Sequence, residues 1–249
     1  MRTWILFIIV SFNIVFYENA IAENIKSVYD NASSKFEQKE YLTAIDLYKK
    51  AYSLGDTILS PMRIGEIYIC GYGVTQNEYE GLKWVQIAAE NNNSEAQSTL
   101  GRYYSHIGED SKAFDWFFKA AHNGDDYGKY MLGQAYLEGK GTCQDSKRAL
   151  RWTLSSALGG DPGAQWEIAR AYFEGYNHPF KFEKNAEEFI SWTTKAAENG
   201  SSAAQYYMGL IYLDGFNNTP VDKQLAKKWI QKAANQGWED AITALKERF

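Results

Sequence analysis

Residues 136–161 read YLEGKGTCQDSKRALRWTLSSALGGD: two glycines around a lysine, then a tryptophan, a Ser-Ala pair and a closing Gly-Gly-Asp. Glycines so spaced serve phosphate loops and nucleophile turns, where the pattern occurs once, beside ionisable groups. An architectural pattern recurs instead, and this one does. Tyr68, Tyr104, Tyr136, Tyr172 and Tyr212 each stand three residues after a small residue: Gly65, Gly101, Gly133, Ala169 and Gly209. Trp84, Trp116, Trp152, Trp192 and Trp229 each precede by four residues a small pair, from Ala88-Ala89 to Ala233-Ala234. Successive tryptophans are 32, 36, 40 and 37 residues apart, the period of a helical solenoid.

The spacing separates fixed parts from variable ones. From the first small residue of a pair to the next tyrosine the distance is always 16, whereas from Tyr to the Trp of the same unit it is 16, 12, 16, 20 and 17. The variable stretch holds Gly71 and Gly73, Gly139 and Gly141, Gly175 with Pro179, and Gly215 with Pro220, all turn residues. Each unit is therefore a helix A ending near its Tyr, a variable loop, a helix B carrying Trp and the small pair, and a fixed turn. Gly124, Gly160, Gly200 and Gly237 close four of those turns and Asn92 the first, as expected of left-handed C-caps. Asp161-Pro162 fits an N-cap followed by the first helical position.

On these residues the chain resembles the Sel1-like repeat family, relatives of tetratricopeptide repeats with a longer loop. The resemblance rests on "YMLGQAYLEGKG … ALRWTLSSALGG" and "AQYYMGLIYLDG … AKKWIQKAANQG". It implies an all-α, right-handed solenoid of helical hairpins. The expected organisation is a signal peptide over 1–22, a tetratricopeptide-like capping hairpin over 23–59, and five repeats plus a partial C-terminal helix over 60–249. The second unit, "YYSHIGEDSKAFDW", departs by a short loop without Gly-x-Gly.

The chain has 249 residues, 45% hydrophobic and 23% charged, which suits a globular protein with a genuine core. Arg2, an apolar run from Trp4 to Phe16 and then Ala20-Ile21-Ala22 have the order of a secretory signal cleaved before Glu23. The apolar run is short for a stable span, so a periplasmic or secreted protein is expected. Net charge is −5 with no basic run, which argues against a nucleic-acid partner.

Chemistry finds little support. His106, His122 and His178 are the only histidines and form no metal-ligand spacing; His122 and His178 read as solvated polar residues. Asp125-Asp126 and Glu187-Glu188 stand at helix starts, where carboxylates favour the dipole. Cys70 and Cys143 fall in non-adjacent units. Helix layers pack about 8–10 Å apart and a disulfide needs Cα atoms within about 7 Å, so both read as free, partly sheltered thiols. No enzyme, cofactor or metal is expected.

In tetratricopeptide-like arrays helix A lines a concave groove, so the resemblance places a partner-binding face on it. Positions three before and one and four after the small residue give Glu66, Arg102, Tyr130, Gln134, Trp166, Arg170, Phe173 and Tyr206 as the contact residues. Met62, Ser98 and Ser105 share that face. Trp, Tyr and Arg dominate interface hot spots. The resemblance implies a protein partner: a secreted toxin if the chain is an immunity protein, or a sensor or host protein if it is a regulator or luminal adaptor, with a role in wall metabolism as a further alternative.

Overall fold

The computed structural model describes the backbone from residue 2 and side chains from residue 19; the expected signal segment lies outside the described side chains as far as residue 18. The helices are α1 (Arg2–Glu37), α2 (Tyr41–Ser53), α3 (Leu59–Cys70), α4 (Glu78–Glu90), α5 (Ser94–His106), α6 (Asp110–His122), α7 (Asp126–Glu138), α8 (Ser146–Gly159), α9 (Pro162–Glu174), α10 (Ala186–Glu198), α11 (Ser202–Asp214), α12 (Lys223–Asn235) and α13 (Glu239–Arg248). Among the described residues there is no strand. Odd-numbered helices are the A helices and even-numbered ones the B helices. The chain divides into two units, Met1–Arg102 and Tyr103–Phe249, the division falling inside α5. In each unit the extensive packing joins consecutive helices, α1 on α2 on α3 on α4 in the first and α6 through α13 in the second. Such nearest-neighbour stacking defines an all-α solenoid.

Each hairpin is closed by one backbone bond. The N–H at the start of helix B donates to the carbonyl of the repeat tyrosine: Asn77 to Tyr68 at 2.8 Å, Asp145 to Tyr136 at 2.8 Å, Asn185 to Tyr172 at 3.1 Å and Asp222 to Tyr212 at 2.9 Å. The short-loop unit makes it too, Glu109 to Tyr104 at 2.9 Å. Asn77, Asp145, Asn185 and Asp222 then cap helix B by accepting one or two backbone N–H groups with their side chains. From this N-cap to the Trp is seven residues in every unit (77 to 84, 109 to 116, 145 to 152, 185 to 192, 222 to 229). All the length variation is therefore confined between the two ends of one hydrogen bond.

The small residue of helix A sets how closely helix B approaches. A Cβ on Gly65 would lie 2.6 Å from Val85, and one on Gly133 2.6 Å from Thr153 Oγ1; Gly209 meets Ile230 in the same way. The turn glycines act differently. Gly124, Gly200 and Gly237 have φ of 93°, 102° and 85° with open space where a Cβ would go, and Asn92 takes the equivalent place at φ 65°.

Between hairpins the seam is polar and repeats. Gln97, Gln165 and Gln205, four residues before the small residue, donate to the carbonyls of Ala89, Ala157 and Ala197 at 2.9, 3.0 and 3.1 Å. Asn199 and Gln236, at the ends of the next B helices, donate in turn to Gln165 and Gln205 at 3.0 and 2.8 Å. Each of these helix-end carbonyls also accepts the backbone N–H of its turn residue, Asn92, Gly160 or Gly200, so the glutamine supplies a second donor to it across the seam.

Two expectations need correction. Cys70 and Cys143 are free, but exposed rather than partly sheltered, since one ends α3 and the other lies in the loop before α8. His178 is not solvated; it is fully buried. The long loop after α9 folds back so that Phe180 joins the core around Leu132 and Ile168, and the His178 ring, 4.8 Å from Phe180, goes under with it. His122 is exposed, with Nδ1 2.8 Å from the Phe118 carbonyl.

The two kinds of glycine predict different substitution costs. Gly133→Ala drives a methyl into Thr153 and should cost about 1–3 kcal/mol, whereas Gly124→Asn keeps a residue tolerant of positive φ and should cost less than about 1 kcal/mol. Thermal and urea unfolding of both variants checks the order; a larger loss at Gly124 would contradict it.

Candidate interaction surface

The face expected to meet a partner is one face of each A helix, and the structure gives several of its residues a packing duty. Tyr130, three before Gly133, is half-buried, its ring lying against Gly163 at the start of α9, where a Cβ would come within 2.9 Å of it. Trp166, at the same position of α9, packs on Tyr207 of α11 with ring centroids 4.8 Å apart. Tyr206, at that position of α11, packs on the cluster of Ile230, Ala233, Ala241 and Ala244 formed by α12 and α13. Each ring thus ties its A helix to the next element and leaves its remaining surface outside. Met62 and Ser98, at the same position in the first unit, are buried.

The residue one past the small position is more polar. Glu66 pairs with Arg63 at 2.7 Å, Arg102 is exposed, and Gln134 is half-buried. Arg170 bridges two carboxylates of its own helix, Glu167 at 3.2 Å and Glu174 at 2.9 Å. Phe173, four past the small position, is 46% exposed and packs on Phe189 at 4.9 Å between centroids.

Behind Arg170 lies a buried polar chain that sequence reasoning did not find. Glu167 is 8% exposed, and its Oε1 lies 3.0 Å from Nε2 of His178. Nδ1 of His178 accepts the Phe180 N–H at 3.2 Å, which leaves Nε2 to donate to Glu167. Burial works to raise the Glu167 carboxyl, but the His178 bond and the Arg170 charge hold it below the usual glutamate range. Burial also pushes the Tyr130 phenol well above its usual range, with Glu167 and Asp161 adding to the effect. Asp161 is raised by burial despite accepting the Ala164 amide at 2.7 Å. No local motif marks this chain; the only signal was a histidine in a loop whose Phe180 and Phe182 are too apolar to stay in water.

Tyr130 and Gln134 also share the wall of a cleft of about 240 Å³. Its floor is Phe114 and Phe117 of α6 with Met131 of α7, and its mouth carries Ser105, Asp110 and Lys140. Of the expected contact residues these two come together here, Arg170 and Phe173 lie along α9, and Tyr206 belongs to α11. Among the described residues, no three His, Cys, Asp or Glu side chains are grouped to hold a metal ion.

The Sel1 repeat family model matches residues 37–56, 62–93, 94–125, 127–161, 162–201 and 202–238. The chain belongs to the Sel1 repeat family. Six repeats are matched, the first within the segment expected to be a capping hairpin. The Sel1 array is similar to a Sel1 repeat protein from Oxalobacter formigenes, at 27% identity over 85% of this chain and 88% of that one, with a TM-score of 0.72. It is also similar to c5321, a protective antigen of uropathogenic Escherichia coli strains with an SLR fold, at 26% identity over 87% of this chain and 47% of that one, with a TM-score of 0.64. The immunity protein Pa5087 from Pseudomonas aeruginosa shares the fold at 16% identity, 85% and 81% coverage and a TM-score of 0.56. Sel1 repeats form protein-interaction solenoids, which is the class of this chain.

The buried chain has a pH signature. Because the folded Glu167 value lies below the unfolded one, its contribution is present above about pH 4.3, the ordinary glutamate value, and is lost as the pH falls through the folded value. The melting difference between wild type and Glu167→Gln should therefore shrink below about pH 4; a constant difference from pH 6 to pH 3 would contradict it. His178→Ala leaves Oε1 of the buried Glu167 without its donor, Arg170 still holding Oε2, and should cost about 1–3 kcal/mol at pH 7.

Proposed function

We propose that this chain is a non-catalytic, exported protein that works by occupying a partner protein with the exposed parts of its A helices. The observation that carries this reading is the surface of the second unit, where Tyr130, Trp166, Arg170 and Phe173 set rings and a guanidinium on consecutive A helices that also keep part of their surface outside. Rigid aromatic and Arg anchors of this kind lose little entropy on binding. Gln134 and Tyr206 belong to the proposed contacts of the second unit, and Glu66 and Arg102 are the proposed contacts of the first.

Export is part of the same proposal. Residues 19–24, across the expected cleavage point after Ala22, are exposed along α1, which supports an accessible cleavage point. Among the described residues no helix is long and apolar enough to cross a membrane. The finer proposal is immunity to a secreted antibacterial toxin. Neutralising a toxin requires occlusion alone, which a protein without catalytic groups can supply; the resemblance to Pa5087 lends the architecture and nothing more at its identity.

The test is co-purification of the protein with the product of the adjacent gene, and growth protection of cells exposed to that product. A specific complex should bury at least about 1,000 Å². Arg102→Ala should weaken it and leave melting nearly unchanged; adding Phe173→Ala should bring the loss to about tenfold or more, the loss of one or two anchors, at some cost in melting because that ring packs on Phe189. Removing residues 1–22 should abolish protection in cells. Protection that persists without those residues would contradict the exported site of action, and wild-type affinity in the double variant would contradict the face.

A further inference from the structure

The hairpins can be superposed residue by residue through the bond that closes each of them. Glu40 donates to Lys35, Glu109 to Tyr104 and Asn185 to Tyr172, so Phe36, Ser105 and Phe173 are equivalent, each following the accepting residue. Tyr41, Asp110 and Ala186 are equivalent as the first residues of their B helices. In the hairpin that follows each, the glycine ending helix A, Gly71, Gly139 or Gly215, is followed by Tyr72, Lys140 or Phe216.

In the first unit this spot is filled with rings. Phe36 meets Tyr41 at 5.3 Å and Tyr72 at 5.7 Å, and Tyr41 stacks on Tyr72 at 5.5 Å and 19°. The last such spot of the second unit is also aromatic: Phe173 and Phe216 lie 6.5 Å apart, with Phe189 at 4.9 and 5.7 Å from them. Between these, the α5–α6 hairpin holds Ser105, Asp110 and Lys140 at the same positions, whereas Ile69 and Leu137 take the place of Ser105 in α3 and α7, and the place of Phe189 is taken by Ala113. Ser105, Asp110, Ala113 and Lys140 all line the cleft of about 240 Å³. The loop reaches the spot as it does in the first unit: Gly141 sits on the start of α6 as Gly73 sits on Tyr41. The backbone of an aromatic plug is present and its rings are missing.

We infer that this cleft receives one aromatic side chain of a partner protein, presented beside a lysine or arginine. The deficit names the ring: two equivalent places in this chain are completed by aromatic groups, and the floor of Phe114, Phe117 and Met131 offers edge, face and thioether contacts to another. The volume is below the roughly 300–1,000 Å³ of small-molecule sites, which suits a single side chain. Charge names the neighbour. Asp110 and Glu138 line the cleft against one cation, Lys140, which Glu138 holds at 2.6 Å, so the mouth is negative and favours a positive group beside the ring.

This inference rests on the interaction reading above, and its test separates the two. The probe is the blocked peptide Gly-Lys-Tyr-Lys-Gly, titrated into the purified protein with amide shifts as readout. Shifts should centre on Ser105, Gln134 and Lys140, and peptides with Ala for Tyr or Glu for Lys should bind at least about tenfold more weakly. Ser105→Phe with Lys140→Tyr copies Phe36 and Tyr72, so it should melt no lower than wild type and lose the peptide. Asp110→Asn with Glu138→Gln keeps the volume and should erase the preference for Lys over Glu, which keeps the test open if the plugged variant fails to fold. Shifts that survive plugging, or an Ala peptide that binds like the Tyr one, overturn the inference. A dimer abolished by plugging would assign the cleft to a second copy and overturn it as well. A protein partner that binds wild type and plugged variant alike overturns the cleft alone and leaves the wider reading standing.

Discussion

The backbone bond from the N-cap of each B helix from α4 to α12 to the repeat tyrosine carbonyl is the constraint on which the architecture depends. Its acceptor is one of the carbonyls that a helix C-terminus leaves unpaired, and its donor belongs to the N-cap that starts the next helix. One bond therefore ends one helix, starts another and fixes their separation. Whatever lies between its two ends is free to vary, which is why loops of such different length sit on hairpins of constant geometry. The fixed register places Gly65, Gly133 and Gly209 against helix B, where a Cβ would crowd Val85, Thr153 and Ile230, while Ala169 takes the same place in α9.

Because the hairpin is fixed, the loop is where the repeats acquire individual character. After α9 it carries His178 and Phe180 into the core, where the histidine holds Glu167 and, through it, Arg170. After α3 it supplies Tyr72 to an aromatic cluster, and after α7 it supplies Lys140 to an open cleft. The same scaffold thus yields a closed core, a plugged seam or a recess according to a few side chains. A stack of near-identical units becomes specific for a partner through such local differences.

The fold was legible in the sequence because its determinants are periodic and local: Gly or Ala before Tyr, Trp before the small pair, Gly or Asn in the turn. The caps were legible for the same reason, down to Asp161 before Pro162. What escaped was long-range. His178 looked solvated because nothing near it in sequence announces Glu167, eleven residues back on another element. The Gln97, Gln165 and Gln205 seam was visible as a period but carried no meaning until the carbonyls they meet were placed. The expected contact positions lie along the A helices, and Tyr130, Trp166 and Tyr206 among them lean on the elements that follow their helices, which sequence spacing alone does not reveal. The cleft appears only when Ser105 and Lys140 are set beside Phe36 and Tyr72 in the register that the closing bond defines.

Native-state hydrogen exchange of single amides tests the central claim most directly. If the closing bond organises each hairpin, the amides of Asp145, Asn185 and Asp222 should be protected as strongly as the interiors of α8, α10 and α12, whatever the loop length, while loop amides such as Tyr176 and Thr142 exchange far faster. Closing amides that exchange at loop rates, or with protection that falls as the loop lengthens, would contradict the account.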